Sequence, residues 1–220
     1  MNLVVLGPPG AGKGTQAELI ARARGVPKVS TGDVLREAFQ AGTDIGRRAK
    51  GIMDRGELVG DDVVIGIVRE RLGRRDACAG FVLDGFPRTV VQAQALDRIV
   101  DGRGPLVVID FVVSDVELVR RLGLRMICQA CGANAGGVPA PARCQRCGGP
   151  LVQRADDNAE VVRERLRVYH RESAPLVEYY RSREAFRSVD GLQDAAVVAA
   201  DVAGILDGVV GGLGVGGGSR

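Results

Sequence analysis

The nine residues Gly7-Pro-Pro-Gly-Ala-Gly-Lys-Gly-Thr15 constrain this chain more than any other stretch. They follow a short apolar run, Leu3-Val-Val-Leu6, and open a segment, 16–24, with helical character. A strand, a glycine-rich turn and a helix in that order aim a row of unpaired backbone N–H groups at one point. The helix dipole adds positive potential there, so the point is an anion site. Lys13 places a full charge where it can reach a terminal phosphate. The spacing G-x-x-x-x-G-K is that of a phosphate-binding loop. One residue departs from it: Gly14 stands where a hydroxyl normally touches Mg²⁺, and the hydroxyl comes one place later, at Thr15.

Beyond this loop, strands alternate with helices. A short strand is predicted at 26–29. Ser30-Thr-Gly-Asp33 caps a helix through Phe39, and helices follow at 43–55 and 61–73. A buried strand at 81–83 runs into Asp84-Gly-Phe-Pro-Arg-Thr89, and helix signals resume over 92–100. Residues 106–113 are apolar on both faces, as parallel strands are. The pattern breaks near Leu124 and resumes at Asp156 as a long helix interrupted near Pro175. A strand at 186–189, a helix over 194–210 and a glycine-rich tail, 211–220, expected to be disordered, complete the chain. This order argues a three-layer α/β domain around a parallel sheet.

Within the break stand Cys128-x₂-Cys131 and, twelve residues later, Cys144-x₂-Cys147. Each pair is followed by a glycine, Gly132 or Gly148, which allows a tight turn that points both thiolates at one centre. Two such knuckles suit tetrahedral Zn²⁺ closed by four protein ligands, a structural rather than a catalytic site. Disulfides are the alternative, disfavoured in a reducing compartment. A redox CxxC is another, without its usual βαβ setting. Cys78 stands alone.

Asp84 falls at the carboxyl end of an apolar strand, where ligands sit in open α/β sheets. A carboxylate there can hold Mg²⁺, directly or through water, across from Lys13. His170 is the only histidine, which excludes sites needing several. The net charge of +3 is small, and aromatic residues make up 4% with no Trp, so stacking platforms for nucleic acid are scarce. Lysine occurs only at 13, 28 and 50 among thirty basic residues, which makes one in the phosphate loop more telling. No apolar run is long enough to span a membrane, and the first residues pass straight into a strand, leaving no room for a signal peptide. The expectation is a cytoplasmic protein.

Taken together and in order, Gly7–Thr15, Ser30-Thr-Gly-Asp33 with Arg36, Gly56-Glu-Leu-Val59, Asp84–Thr89 with Gln92, and Arg154-Ala-Asp-Asp157 with Arg165 resemble adenylate kinases. More narrowly, over about residues 1–210, the chain resembles the bacterial type whose long lid is clipped by zinc. The resemblance implies a P-loop nucleoside monophosphate kinase fold with a five-stranded parallel sheet. Its core would comprise 1–29, 60–123 and 158–210, with an AMP-binding insertion at 30–59 and a lid at 124–157. Gly10, Ala11, Gly12, Lys13, Gly14 and Thr15 would cradle the ATP phosphates, with Arg121, Arg125 and Gln193 as further ATP contacts. Thr31, Arg36, Glu57, Leu58, Val59, Gly85, Phe86, Pro87, Arg88 and Gln92 would hold AMP, Gln92 reading the adenine edge. Arg154 and Arg165 would close over the transferring phosphoryl. The catalytic set would be Lys13, Arg88, Arg125, Asp156, Asp157 and Arg165, with Asp84 holding Mg²⁺ through water.

The family carries glycine at the position of Gly14, its Mg²⁺ being held largely by phosphate oxygens and water. This chain departs elsewhere. Leu124 replaces the glycine usual before Arg125, and Asn134, Ala135 and Gly136 replace a small hydroxyl residue, an aromatic and often a histidine. The implied activity is reversible phosphoryl transfer from ATP to AMP by a monomer, with Mg²⁺ and a structural Zn²⁺. Two alternatives share some of these features: a kinase of UMP, CMP or GMP, and a zinc-ribbon nucleic-acid binder on an inactive core. A substrate panel separates the first, and a salt-dependent shift with DNA or RNA the second.

Overall fold

Runs of consecutive apolar residues bury both faces of a strand, and the central strands of this chain carry such runs. The structure, a computed structural model, describes residues 1–135 and 143–213. β1 (Asn2–Leu6), β2 (Lys28–Ser30), β3 (Phe81–Asp84), β4 (Leu106–Val112) and β8 (Phe186–Asp190) form one sheet in the order β2-β3-β1-β4-β8. Every pairing is parallel, with Val5 beside Asp84 and Leu6 beside Asp110 at the carboxyl edge.

Alternate residues of the strands feed two cores. Leu3, Val5, Ile109 and Phe111 face α1 (Lys13–Arg24), α6 (Asp115–Gly123), α7 (Ala159–Val168) and α9 (Ala195–Leu213). Val4, Leu6, Leu83 and Val108 face α4 (Asp61–Leu72), α5 (Val90–Val100) and α8 (Pro175–Arg181). Three layers result, as expected. Each fully buried Leu, Ile or Phe contributes roughly 1.5–3 kcal/mol, so the sheet is the rigid part on which the site is mounted. Among the described residues, no helix is long and apolar enough to cross a membrane.

Several details differ from the sequence reading. The first helix begins at Lys13 rather than 16, because Gly12 takes a left-handed φ of 92° and the loop's own last residues make its first turn. α2 (Thr31–Gln40) is capped by the Ser30 hydroxyl, which accepts from Asp33 N, and α3 (Asp44–Asp54) follows. α6 was not foreseen. The interruption of the long helix is a π-helical turn over Tyr169–Ser173, and Pro175 does not break a helix but opens α8, where its missing N–H is harmless. The lid segment contains an antiparallel sheet, β5 (Met126–Cys128) between β6 (Asn134–Ala135) and β7 (Leu151–Gln153). Its strands are too short for a period to register. Leu124 has φ −99° and ψ −3°, an ordinary right-handed conformation that does not call for glycine. The last helix reaches Leu213, and the rest of the glycine-rich tail lies outside the described residues.

Candidate active site

A cleft of about 1670 Å³ opens at the carboxyl edge of the sheet. Gly10 to Thr15 form one wall. Lys13 folds back over the loop, its Nζ donating to the carbonyls of Gly7 and Pro8 at 2.7 Å each. A Cβ at Gly14 would stand 3.2 Å from Asp84 Oδ2, so a side chain there would crowd the carboxylate. The same point is 3.8 Å from Nδ2 of Asn134, so the lid strand β6 reaches the phosphate loop. Asp84 is an oxygen donor beside the phosphate site. Mg²⁺ takes one or two carboxylates plus substrate phosphates and keeps its waters, and Asp84 fits that demand.

Burial pushes the Lys13 ammonium from an ordinary 10.5 down to about 8; Asp84 opposes this, and Arg88, Arg165 and Arg125 add to it. Above that pH the ligand-free protein loses the charge a polyphosphate needs, and binding takes up a proton. ATP affinity should therefore be flat below about pH 7.5 and fall by up to tenfold per unit above about 8. The unfolded chain keeps its lysine protonated up to its higher value, so over the same window this residue adds stability to the ligand-free fold as pH rises. Titration calorimetry across about pH 7 to 9.5 checks the binding limb. Lys13→Arg should remove it, and a flat profile in the parent would refute the assignment.

The opposite wall is a cluster of arginines drawn from four parts of the chain. Arg36, Arg88, Arg125, Arg154 and Arg165 all line the cleft. Two carboxylates hold Arg125, Arg154 and Arg165 in place. Asp157, whose side chain is wholly buried, accepts from Arg125 Nε at 2.7 Å, Arg125 Nη2 at 2.5 Å and Arg165 Nη1 at 2.9 Å. Asp156 accepts from Arg154 Nε at 3.1 Å through its carboxylate and from Arg165 Nη1 at 3.0 Å through its backbone carbonyl, and its Oδ2 forms an ion pair with Arg165 Nη1 at 3.2 Å. Burial opposes ionisation of Asp156, but Arg165, Arg154, Arg125 and Arg36 outweigh it and hold its carboxyl below the usual range. Burial lowers Arg165 to about 10, which leaves it charged at neutral pH. Arg36 is paired with Asp33 one turn back. Arg121 donates to Glu117 at 2.7 Å and to the Gly191 carbonyl at 2.8 Å, on the side where Gln193 also meets the cleft.

Asp84, Glu57, Leu58, Gly85 and Pro87 also line the cleft, as expected. Thr31, Gln92 and Asp157 are buried beside it, and Val59 is half-buried. Thr31 donates to the Gly85 carbonyl at 2.8 Å, and Gln92 is bonded to the Arg88 N–H and to Asp61. Phe86 is different. Its side chain is wholly buried in the core with Leu83 and Leu96, so it shapes the turn and offers the cleft no ring. Of this loop, Asp84, Gly85, Pro87 and Arg88 line the cleft and Phe86 enters the core, a division that a contiguous motif conceals.

In the lid, the four cysteine sulfurs lie within 4.8 Å of one another, Cys128–Cys147 at 3.4 Å and Cys131–Cys144 at 3.7 Å. Zn–S bonds of about 2.3 Å in a tetrahedron put sulfurs about 3.8 Å apart, so the cluster fits Zn²⁺. The cysteines are free, not disulfide-bonded. Gly132 and Gly148 take φ of 68° and 72°, and their N–H groups close the knuckles onto the Cys128 and Cys144 carbonyls at 2.9 and 2.8 Å.

The family model "Adenylate kinase" matches residues 5–185, most of the chain. The chain belongs to the adenylate kinase family. Among relatives named adenylate kinase, that of Archaeoglobus fulgidus is 49% identical over 213 residues, covering 94% of this chain and 98% of its own. That of Rhizobium etli is 48% identical with coverages of 94% and 99%, and that of Geobacter sp. is 49% identical with coverages of 92% and 97%. The family's phosphate-loop and arginine motifs thus sit in one cleft here. Sequence reasoning missed Glu117 and Asp61, which bond to Arg121 and Gln92. Glu117 could have been found from its i, i+3 and i, i+4 spacing to Arg120 and Arg121. Asp61 could not, because its partners Thr89 and Gln92 lie on another helix.

Proposed function

We propose that the chain transfers a phosphoryl group reversibly from ATP to AMP, giving two ADP. The observation that carries this reading is the convergence of the phosphate loop, with Lys13, and five arginines on one cleft. Phosphoryl transfer needs little covalent help. It requires two oxygens held in line and neutralisation of charge on the moving group. Gly10 to Thr15 and Lys13 hold the donor phosphates, and Arg36 and Arg88 the acceptor phosphate. Arg125 and Arg165, pinned by Asp157 through some of their donors, keep others for the transferring group. The acceptor phosphate is already anionic, so no general base is required. Asp84 would hold Mg²⁺ through water, and the ion would supply charge neutralisation at the donor phosphates.

We assign 124–157 as a lid clipped by structural Zn²⁺ on Cys128, Cys131, Cys144 and Cys147, and 30–59 as the acceptor insertion. Lid closure excludes water, which would otherwise take the phosphoryl group. Gln92 reads the acceptor base, with Thr31 and the 57–59 strip around it, and Gln193 lies by the donor base. Both substrates are held by residues of one chain, so a monomer suffices. Four thiolates suit a reducing setting, and our reading is of a cytoplasmic protein with neither membrane nor nucleic acid as a partner. A panel of AMP, GMP, CMP and UMP tests the acceptor. AMP should lead in kcat/KM, and a preference for any other would refute the assignment.

The donor base should be held weakly. Ala135, which lines the cleft on β6, replaces the aromatic usual in the family. Base stacking on an aromatic ring is worth about 1–3 kcal/mol in nucleic-acid complexes, and part of that, about 1 kcal/mol, is roughly fivefold in affinity. Ala135→Tyr should lower KM for ATP about fivefold and leave kcat and KM for AMP unchanged, since stacking acts alike in ground and transition states. Steady-state kinetics with ATP and GTP on both proteins decide it. An unchanged KM for ATP would place residue 135 away from the base.

A further inference from the structure

Gln92 is 1% exposed, and each end of its carboxamide meets a partner of fixed chemistry. Oε1 accepts from the Arg88 backbone N–H at 2.8 Å, and Nε2 donates to Asp61 Oδ1 at 2.8 Å. A backbone N–H can only donate, and a carboxylate can only accept. Turning the amide over would set Nε2–H against the Arg88 N–H and Oε1 against the carboxylate, two repulsions in a covered place. The orientation is therefore fixed by its partners. Asp61 is held in turn. Its Oδ2 accepts from the Thr89 hydroxyl at 3.0 Å, and that hydroxyl accepts the Gln92 N–H at 3.2 Å. The first turns of α4 and α5 are joined by this ring of four residues.

Each end of the amide keeps one further capacity, a second N–H on Nε2 and a second lone pair on Oε1. Adenine presents an exocyclic N–H donor at position 6 beside a ring-nitrogen acceptor. Guanine presents an oxygen acceptor at position 6 beside a ring N–H. With the base pose set by the phosphate and ribose, an amide of one orientation pairs with adenine, and the reversed amide pairs with guanine. A mismatched site leaves covered polar groups unpaired, which is where large discrimination arises.

We propose that Asp61 is a specificity-determining residue of the acceptor site, locking the Gln92 amide in the orientation that accepts adenine and refuses guanine. The inference rests on the assignment of Gln92 to the acceptor base. Asp61 itself positions Gln92 and has no contact with the substrate in this account.

The test is the ratio of kcat/KM for AMP to that for GMP. Asp61→Asn keeps the shape and removes the acceptor-only constraint, while the Arg88 N–H still opposes the flip. The ratio should fall about tenfold, the loss expected for one strong hydrogen bond, with KM for ATP unchanged. Asp61→Ala, a second variant with no partner at Nε2, should move the ratio in the same direction. General loosening of the fold lowers both kcat/KM values together and leaves their ratio alone. In a Gln92→Leu background, Asp61→Asn should change the ratio no further. A parental ratio in both Asp61 variants, with a lowered ratio in Gln92→Leu, would overturn the lock while sparing the role of Gln92. A parental ratio in Gln92→Leu would overturn both.

Discussion

Lys13→Met is expected to lower kcat by about 10²–10³ without unfolding the protein, by analogy with the loss of one donor to a developing oxyanion. Lys13 bonds in the ligand-free fold only to the carbonyls of its own loop, Gly7 and Pro8, and is not a packing residue of either core. Its removal should therefore leave the melting temperature close to the parent's. Phosphoryl transfer draws almost wholly on positioning and electrostatics, so a missing charge beside the moving group acts on the transition state more than on the ground state. Single-turnover rates at saturating ATP and AMP isolate that step. Activity within about threefold of the parent, small beside that estimate, would remove Lys13 from the mechanism.

Cys128→Ser combined with Cys144→Ser is expected to abolish tight zinc binding and to melt the lid ahead of the core. Among the described residues from Leu124 to Arg154, only Cys128 and Cys144 are buried. The lid sheet has three strands of two or three residues each, so the described residues of the lid form no apolar core. Metal ligation must supply the folding energy that burial does not, and small metal modules commonly unfold without their ion. The main sheet keeps both its hydrophobic layers and should survive. Metal analysis should find about one zinc per parent chain and none in the variant. An unchanged melting profile in both the variant and chelator-treated parent would show that zinc is not structural.

What could be read from the chain divides along physical lines. The phosphate loop and the cysteine knuckles were legible because their chemistry is local: a few consecutive residues specify both the turn and the ligand. The parallel sheet was legible because strands buried on both faces leave unbroken apolar runs. The arginine wall was not. Arg36, Arg88, Arg125, Arg154 and Arg165 are scattered, and only the family resemblance singled them out before the fold brought them together. Phe86 is a motif residue whose side chain serves the core, which its place in the motif does not reveal. Leu124, a departure from the family pattern, takes a conformation open to any residue. Asp61 read only as the start of a helix, since its partners sit 28 and 31 residues away.

The central claim is that this cleft moves a phosphoryl group between two adenine nucleotides. A coupled assay for ADP, with Mg²⁺ present, measures it directly on the purified chain. Two ADP should appear for each ATP consumed, only when AMP is added, and the reverse reaction should make ATP and AMP from ADP alone. ADP formed from ATP at the same rate without AMP, or no AMP-dependent ADP at all, would contradict the account.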